Sequence, residues 1–465
     1  MFEDEEEFAK KNLEKDLLLF ENHLKGQSIG FIDSDRVEMI IDHYLINSQY
    51  QKAKDACVFG LEIFPYNNIF NLRKAQSMTG LGLLSEALKL INEIEKLEYS
   101  NAELFLTKAS LLGQLRDTKN AIKYYRLALN ECENAEKDEI YVDMAMEYEH
   151  NQNFTGAINV LNEALNHNPH NEFALSELSY CYEKEEKEEE AICKITLFID
   201  ENPYSFSAWY HLGNAYLRTQ NFEKAIWAFD YSILINDSSA AAHFNIASAY
   251  LSIERHHQAI THFQSSLDLD GEEPMAYCYM GEAYEQLEEL ELAKNCYLKS
   301  VELSPNFAQA WLGLGIIEDL KGNTKEALVI FNKAIEFEPE NSGINHVIAS
   351  AYEKQKEFET AKKYYQICLE LDPNDMDCLG DFLKMLISLD KKKALDFIKI
   401  FNETNGQDIK SWIWEVNIKW LNGFTKEALG LFSISCDTDK EKALYLFDIN
   451  PMFLEVPEFI SLSKS

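Results

Sequence analysis

Apolar residues return along this chain at two nested intervals: three or four residues within a segment, and mostly 34 residues between segments. In AWYHLGNAYLRTQNFEKAIWAFDYSILIN, Trp209, Leu212, Gly213 and Tyr216 stand at i, i+3, i+4 and i+7, one face of a helix. Ala225, Phe229 and Ser232 make a second stripe on a second helix. The pattern predicts two antiparallel helices per segment. Gly213 and Ala225 let the two backbones approach closely, while Trp209, Tyr216 and Phe229 fill the space beside them.

The longer interval fixes the architecture. Alanine recurs at 53, 87 and 121, then at 157, 191, 225, 259, 293, 327 and 361; every step is 34 residues except 121 to 157, which is 36. Four residues after each alanine comes a bulky side chain, as at Ile91, Phe229, Phe331 and Tyr365, with Cys57 the exception. Nine residues before it, tyrosine stands at 44, 148, 182, 216, 250, 284 and 352. Six of the nine prolines (65, 169, 203, 305, 339 and 373) fall 12 residues after it. A proline there ends the second helix, because it has no amide hydrogen and restricts the residue before it. One helix pair cannot bury both of its faces, so each must stack on its neighbours.

The pattern W-x2-LG-x2-Y, then A-x3-F, then P resembles the tetratricopeptide repeat. Trp209, Leu212, Gly213, Tyr216, Ala225 and Phe229 meet it, with Asp237 in place of the proline. Tyr277, Met280, Gly281, Tyr284, Ala293, Tyr297 and Pro305 match in another repeat, and Trp311, Leu314, Gly315, Ala327, Phe331, Ala334 and Pro339 in the next. The expected fold class is all-α, a right-handed superhelical solenoid of antiparallel helix pairs. Ten repeats are expected over residues 34–375, with a two-residue insertion near 130–140, and two degenerate ones over 376–440, phased by Ala394 and Ala428. Residues 1–33 read as an acidic capping helix (Phe8, Leu13, Leu17, Leu18, Phe20 and Leu24 among charges), and 441–465 as a C-terminal capping helix and tail, with Pro451 and Pro457 making an irregular strap.

The resemblance implies a concave wall built from the first helix of each repeat, offering its fifth, ninth and twelfth positions to a ligand. Carried onto this chain, the fifth positions include Tyr210, Phe244, Cys278 and Leu312, and the ninth Tyr180, Asn214, Ser248, Glu282 and Ile316. Glu149, Glu183, Glu285, Asp319 and Glu353 form an acidic edge at the twelfth. Such a wall suits a peptide carrying Lys or Arg, with aromatic anchors for contact area. The alternative is that Tyr210 and Phe244 only pack against neighbouring helices. Relatives that clamp a C-terminal carboxylate place Lys at the fifth position; here only Asn214 survives from that set. Trp412, Trp414 and Trp420 hold half of the six tryptophans. Trp412 takes the phased core position, while Trp414 and Trp420 read either as a cap or as a partner patch, including for a second copy of the chain.

Charge narrows the partners. The 465 residues carry 43 Lys plus Arg against 79 Asp plus Glu, a net charge of −36. Nucleic acid and anionic membrane surfaces are thereby disfavoured, and basic proteins favoured. The start of the chain lacks the pattern of a secretory signal, and no apolar run is long enough to span a bilayer. Nine scattered cysteines without CxxC spacing argue against a disulfide framework and for a reducing cytoplasm.

Catalytic motifs are scarce. GxxxxGK[ST], HExxH and GxSxG are absent, and Gly313 and Gly315 lie inside a first helix at repeat phases. LDLDGEE at 267–273 lacks a full calcium ligand set; His256, His257 and His262 cluster without matching partners, and Cys278 has no evident base. No cofactor or metal is expected. The reading is a non-enzymatic, cytoplasmic scaffold that binds a protein or peptide, similar to long soluble bacterial members of the family. A self-associating structural protein and a regulatory subunit of an enzyme complex are the alternatives.

Overall fold

The second helices that precede a phased proline stop two residues before it: Tyr50–Ile63 before Pro65, Phe154–His167 before Pro169, Glu188–Glu201 before Pro203, and Leu290–Leu303 before Pro305. First helices start on side-chain caps. Asn67, Asn101, Asn171, Ser205, Ser239, Asn341 and Asp375 each accept a hydrogen bond from an amide of the first turn. Between the two helices of a repeat the chain turns through one left-handed residue. Ser48, Arg116, Gln152, Glu186, Gln220, Glu254, Glu288 and Lys356 occupy that position with φ between 54° and 61°, and Gly82, Gly322 and Gly423 fill it elsewhere. Asn221 N then donates to the Tyr216 carbonyl and Gln220 N to Leu217, a Schellman-type closure.

This computed structural model describes residues 2–27, 32–97, 101–405 and 408–464, and the side chains from residue 12 onward except 135 and 464. Among the described residues there is helix and turn, with no strand. The chain divides into two compact halves, Met1–Asp237 and Ser238–Ser465.

In the first half, the helix Phe2–Leu24 precedes six helix pairs, from Ser34–Ile46 with Tyr50–Ile63 to Phe206–Arg218 with Phe222–Ile235. The insertion falls between Thr118–Glu131 and Lys137–His150, where Asn134–Glu136 forms one 3-10 turn. The leading helix lays Phe20, fully buried, against Tyr44 and Phe59. Its Asp16 pairs with Arg36, and Glu21 with Lys52 at 2.7 Å. Phe8, expected on this face, lies outside the described side chains.

In the second half, six pairs run from Ala240–Ser252 with His256–Asp270 to Ile409–Leu421 with Thr425–Thr438. The C-terminal segment is more regular than a strap. Lys440–Ala443, Tyr445–Ile449, the 3-10 stretch Pro451–Glu455 and Pro457–Lys464 follow one another as short helical pieces. Their Phe453 and Phe459 close over Phe432 and Trp420.

Within each half, packing is local. Each helix meets the one before and the one after, and successive first helices also touch. The core is accordingly a row of overlapping clusters, such as Ala247 to Met280, Cys278 to Ile317 and Ala308 to Ala351. Three bonds repeat from one pair to the next. Ser232, Ser266 and Ser300, near the ends of second helices, donate to the carbonyls of Phe206, Ala240 and Pro274 at the starts of their first helices.

Candidate functional site

Ninth-position side chains form a row on the first helices of the first half: Gln76, Ser110, Met146, Tyr180 and Asn214. Met146 and Tyr180 are each 42% exposed, so both offer apolar surface on this face. Two hollows open along this face. One of about 450 Å³ is walled by Gln76, Thr79, Leu106 and Thr107; the next, of about 550 Å³, by Met146, Glu147 and His150. Both share Ser110, Gln114, Tyr125 and Asp143, so they make one trough. Its charged lining is Asp143 and Glu147, with Arg116 at one side. Asp143 reaches solvent, yet the surrounding walls remove enough water to raise its carboxyl above the usual range, with Glu139 adding to the rise. Burial likewise raises Glu177, helped by Glu149. Among the described residues neither Asp143 nor Glu177 forms an ion pair.

Tyr180 stands edge-on to Phe154, with Lys184 Nζ 5.1 Å from its ring centre. Tyr210 is half-buried, stacked on Phe206 and tilted against Phe229 at 5.9 Å. Asn214, also half-buried, lies one turn further along the same helix. Beside them His211 meets Ser176 Oγ at 3.1 Å; burial, with Arg218 nearby, lowers its pKa to about 4.

The second half carries its own first-helix face. Phe244 packs edge-on against Phe263 at 5.4 Å and tilts against Tyr279. Ser248 Oγ donates to the Phe244 carbonyl, Glu282 is exposed, and Ile316 is half-buried. The acidic edge is held from behind: Tyr297 Oη donates to Glu285 at 3.0 Å and Tyr365 Oη to Glu353 at 2.8 Å.

Two groove assignments change, and of the two readings of Trp414 and Trp420 the buried one fits their contacts. Cys278, 2% exposed, and Leu312, 8% exposed, do not line a groove. Cys278 clusters with Ala310 and Leu314 of the following first helix, and Leu312 with Ile344 and Ile348. Short side chains at the fifth position sink into the seam between first helices, whereas the rings of Tyr210 and Phe244 keep some surface open. Trp414, 2% exposed, is core, packed on Gly380, and Trp420 is half-buried beneath Phe453 and Phe459. Neither presents a partner patch. Trp412, expected in the core, is the half-buried one of its pair.

Of the histidine cluster, His262 meets His243 of the preceding helix, Nδ1 to Nδ1 at 3.1 Å, and stacks on Tyr250. The residues missed from the sequence are Gln76, Thr79, Leu106, Ser110 and Gln114. Their signal was present, because Gln76 and Ser110 are 34 residues apart and Ser110 and Met146 are 36 apart. Among the described residues no helix is long and apolar enough to cross a membrane.

Tetratricopeptide-repeat family models match residues 102–134, 240–273, 276–307, 308–341 and 342–375, and a second such model matches 197–241. No curated protein matches the chain. Similar solved structures include YrrB, a tetratricopeptide protein with an unusual peptide-binding site (22% identity, TM-score 0.32, 40% of this chain and 96% of that one). Others are the Cut9–Hcn1 hetero-tetramer of the APC/C (13% identity, TM-score 0.44, 89% and 95%) and MamA (22% identity, TM-score 0.32, 36% and 97%). The phased motifs, the paired helices and the family matches agree: this chain carries tetratricopeptide repeats.

Proposed function

We propose that the protein is a non-enzymatic interaction scaffold whose first-helix face binds a protein segment rich in Lys or Arg. The observation that carries this reading is the first-helix face of the first half: exposed Met146 lines the trough with Asp143, exposed Tyr180 and Glu177 follow on the next first helix, Glu172–Lys184, and neither carboxylate forms an ion pair among the described residues. Large, partly ordered apolar groups supply contact area at low entropic cost. Crowded carboxylates favour an incoming cation, which relieves their desolvation. In the second half, Phe244, Ser248, Glu282 and Ile316 offer a comparable face.

The test is titration of the full chain with fluorescent peptides, one series Lys/Arg-rich and one with the same apolar residues but acidic. Binding of the basic series, weakened at least about tenfold by Tyr180→Ala with Met146→Ala, supports the proposal. Equal capture of both series, or unchanged affinity in the double variant, overturns it.

A further inference from the structure

Where the last repeat matched by the family models meets the next helix, three elements bring metal-ligating side chains together. His346 comes from Ser342–Lys354, Asp375 caps Met376–Leu389, and Cys378 sits in the first turn of that helix. One ligand atom from each lies within 4.8 Å of the other two. Cys368, at the end of Phe358–Leu371, adds a fourth donor. Its Sγ is 3.6 Å from Asp375 Oδ2, while the Cys378 thiol donates to the Tyr365 carbonyl at 3.8 Å. Both cysteines are fully buried.

The geometry points to a zinc-binding site made by Cys368, Cys378, His346 and Asp375. Two sulfurs, one imidazole and one carboxylate are a donor set suited to tetrahedral Zn²⁺, which holds ligands at about 2.0–2.3 Å. The ligand atoms of His346, Asp375 and Cys378, up to 4.8 Å apart, must close by roughly 1 Å to meet that geometry, with Cys368 brought in from beside Asp375 by rotation of its side chain. Asp375 divides its work: Oδ1 accepts from the Cys378 amide at 2.9 Å, and Oδ2 faces the thiol of Cys368. Outside the four, Asp381 Oδ2 lies 3.2 Å from His346 Nε2, the carboxylate–histidine contact that orients a ligating ring. Lys384 pairs with Asp381 at 3.0 Å. A polar hollow of about 360 Å³, lined by Ser350, Glu353, Lys354, Tyr365, Asp381 and Lys384, lies on the Asp381 side of His346.

Uptake replaces two S–H bonds by two Zn–S bonds and releases both protons to solvent, with no change of oxidation state. The ion clips one repeat to the helix that follows it. The spacing hides the site from sequence: Cys368 and Cys378 are ten residues apart and His346 lies 22 before Cys368, which fits no CxxC or HxxxH pattern.

The full chain, stripped with chelator and kept reduced, is titrated with ZnCl₂ and separately with CoCl₂. Metal content, thermal midpoint and the thiolate-to-cobalt absorption are read for wild type, Cys378→Ser, His346→Ala, Asp381→Asn and the control Cys193→Ser. One zinc per chain is expected, with a raised midpoint and a thiolate–cobalt band. Cys193→Ser should match wild type, Asp381→Asn should bind about 10–100-fold more weakly, and His346→Ala and Cys378→Ser more weakly still. If Cys378→Ser fails to fold, His346→Ala, at a half-buried position, decides. Absence of uptake by folded wild type, zinc held equally by His346→Ala, or a cobalt spectrum without thiolate character overturns the site.

Discussion

Trp209 Nε1 donates to the carbonyl of Pro203 at 2.9 Å, and Trp311 repeats the bond to Pro305 at 2.9 Å. The proline that ends one repeat therefore presents its oxygen to the indole that opens the next, so the two most visible sequence marks are bonded partners. Asn345 reaches the Pro339 carbonyl in the same way, at 3.4 Å. Trp209→Phe keeps most of the buried ring and removes the donor. A loss of about 1–3 kcal/mol is expected in urea unfolding, with the slope unchanged. A cost under about 0.3 kcal/mol would show that the bond contributes nothing net.

Close helix contact makes a second prediction. A β-carbon at Gly213 would stand 2.5 Å from the Phe229 ring, and one at Gly281 2.7 Å from Tyr297. Gly213→Ala should destabilise by about 1–3 kcal/mol through overpacking. Combined with Phe229→Leu, which withdraws the obstructing ring, its added cost should shrink, and a double-mutant cycle reads that coupling. Strict additivity would contradict the contact.

The left-handed turn residues give a prediction of opposite sign. Glu288 holds φ 59°, a conformation costing a residue with a β-carbon about 1–2 kcal/mol. Glycine relieves that strain and returns part of the gain through its freer unfolded chain. Glu288→Gly should therefore stabilise by about 0.5 kcal/mol, read as a raised thermal midpoint. A lowered midpoint would mean that the glutamate side chain contributes more than its backbone costs.

Acid should weaken the fold partly through His262. Burial, and the facing His243, lower its pKa to about 4 from an ordinary 6.5. The unfolded chain then takes up a proton first, so this contribution is complete above about pH 6.5 and fades as pH falls toward 4. The raised carboxyls of Asp143 and Glu177 act the other way, since the folded form protonates first and gains on acidification. His262→Gln should flatten the loss of stability between pH 6.5 and 4.5. An unchanged slope would remove His262 from the account.

Repeat phase was legible because it rests on steric necessity. Gly213, Ala225 and the phased prolines each serve one fixed place in a helix pair, and a fixed period exposes them. The site was legible only in part. Tyr180 is open as its ninth position implies, but Cys278 and Leu312 share a phase with Tyr210 and end in the seam, since period gives the face and not how deeply a given side chain sinks. The sequence leaves Trp414 and Trp420 open between cap and partner patch because their cover, Gly380 for one and Phe453 with Phe459 for the other, lies outside the repeat pattern. The cluster of His346, Asp375 and Cys378 was invisible for a related reason: helices bring it together, not spacing.

The central claim is that partners bind on the first-helix face. Its most direct measurement places a photo-crosslinking amino acid at Tyr180, in the ninth-position row, or at Leu234, 80% exposed on a second helix, and presents a Lys/Arg-rich peptide. The account predicts crosslinks from position 180, suppressed by excess unlabelled peptide, and none above background from 234. Capture from 234 with none from 180 would contradict it.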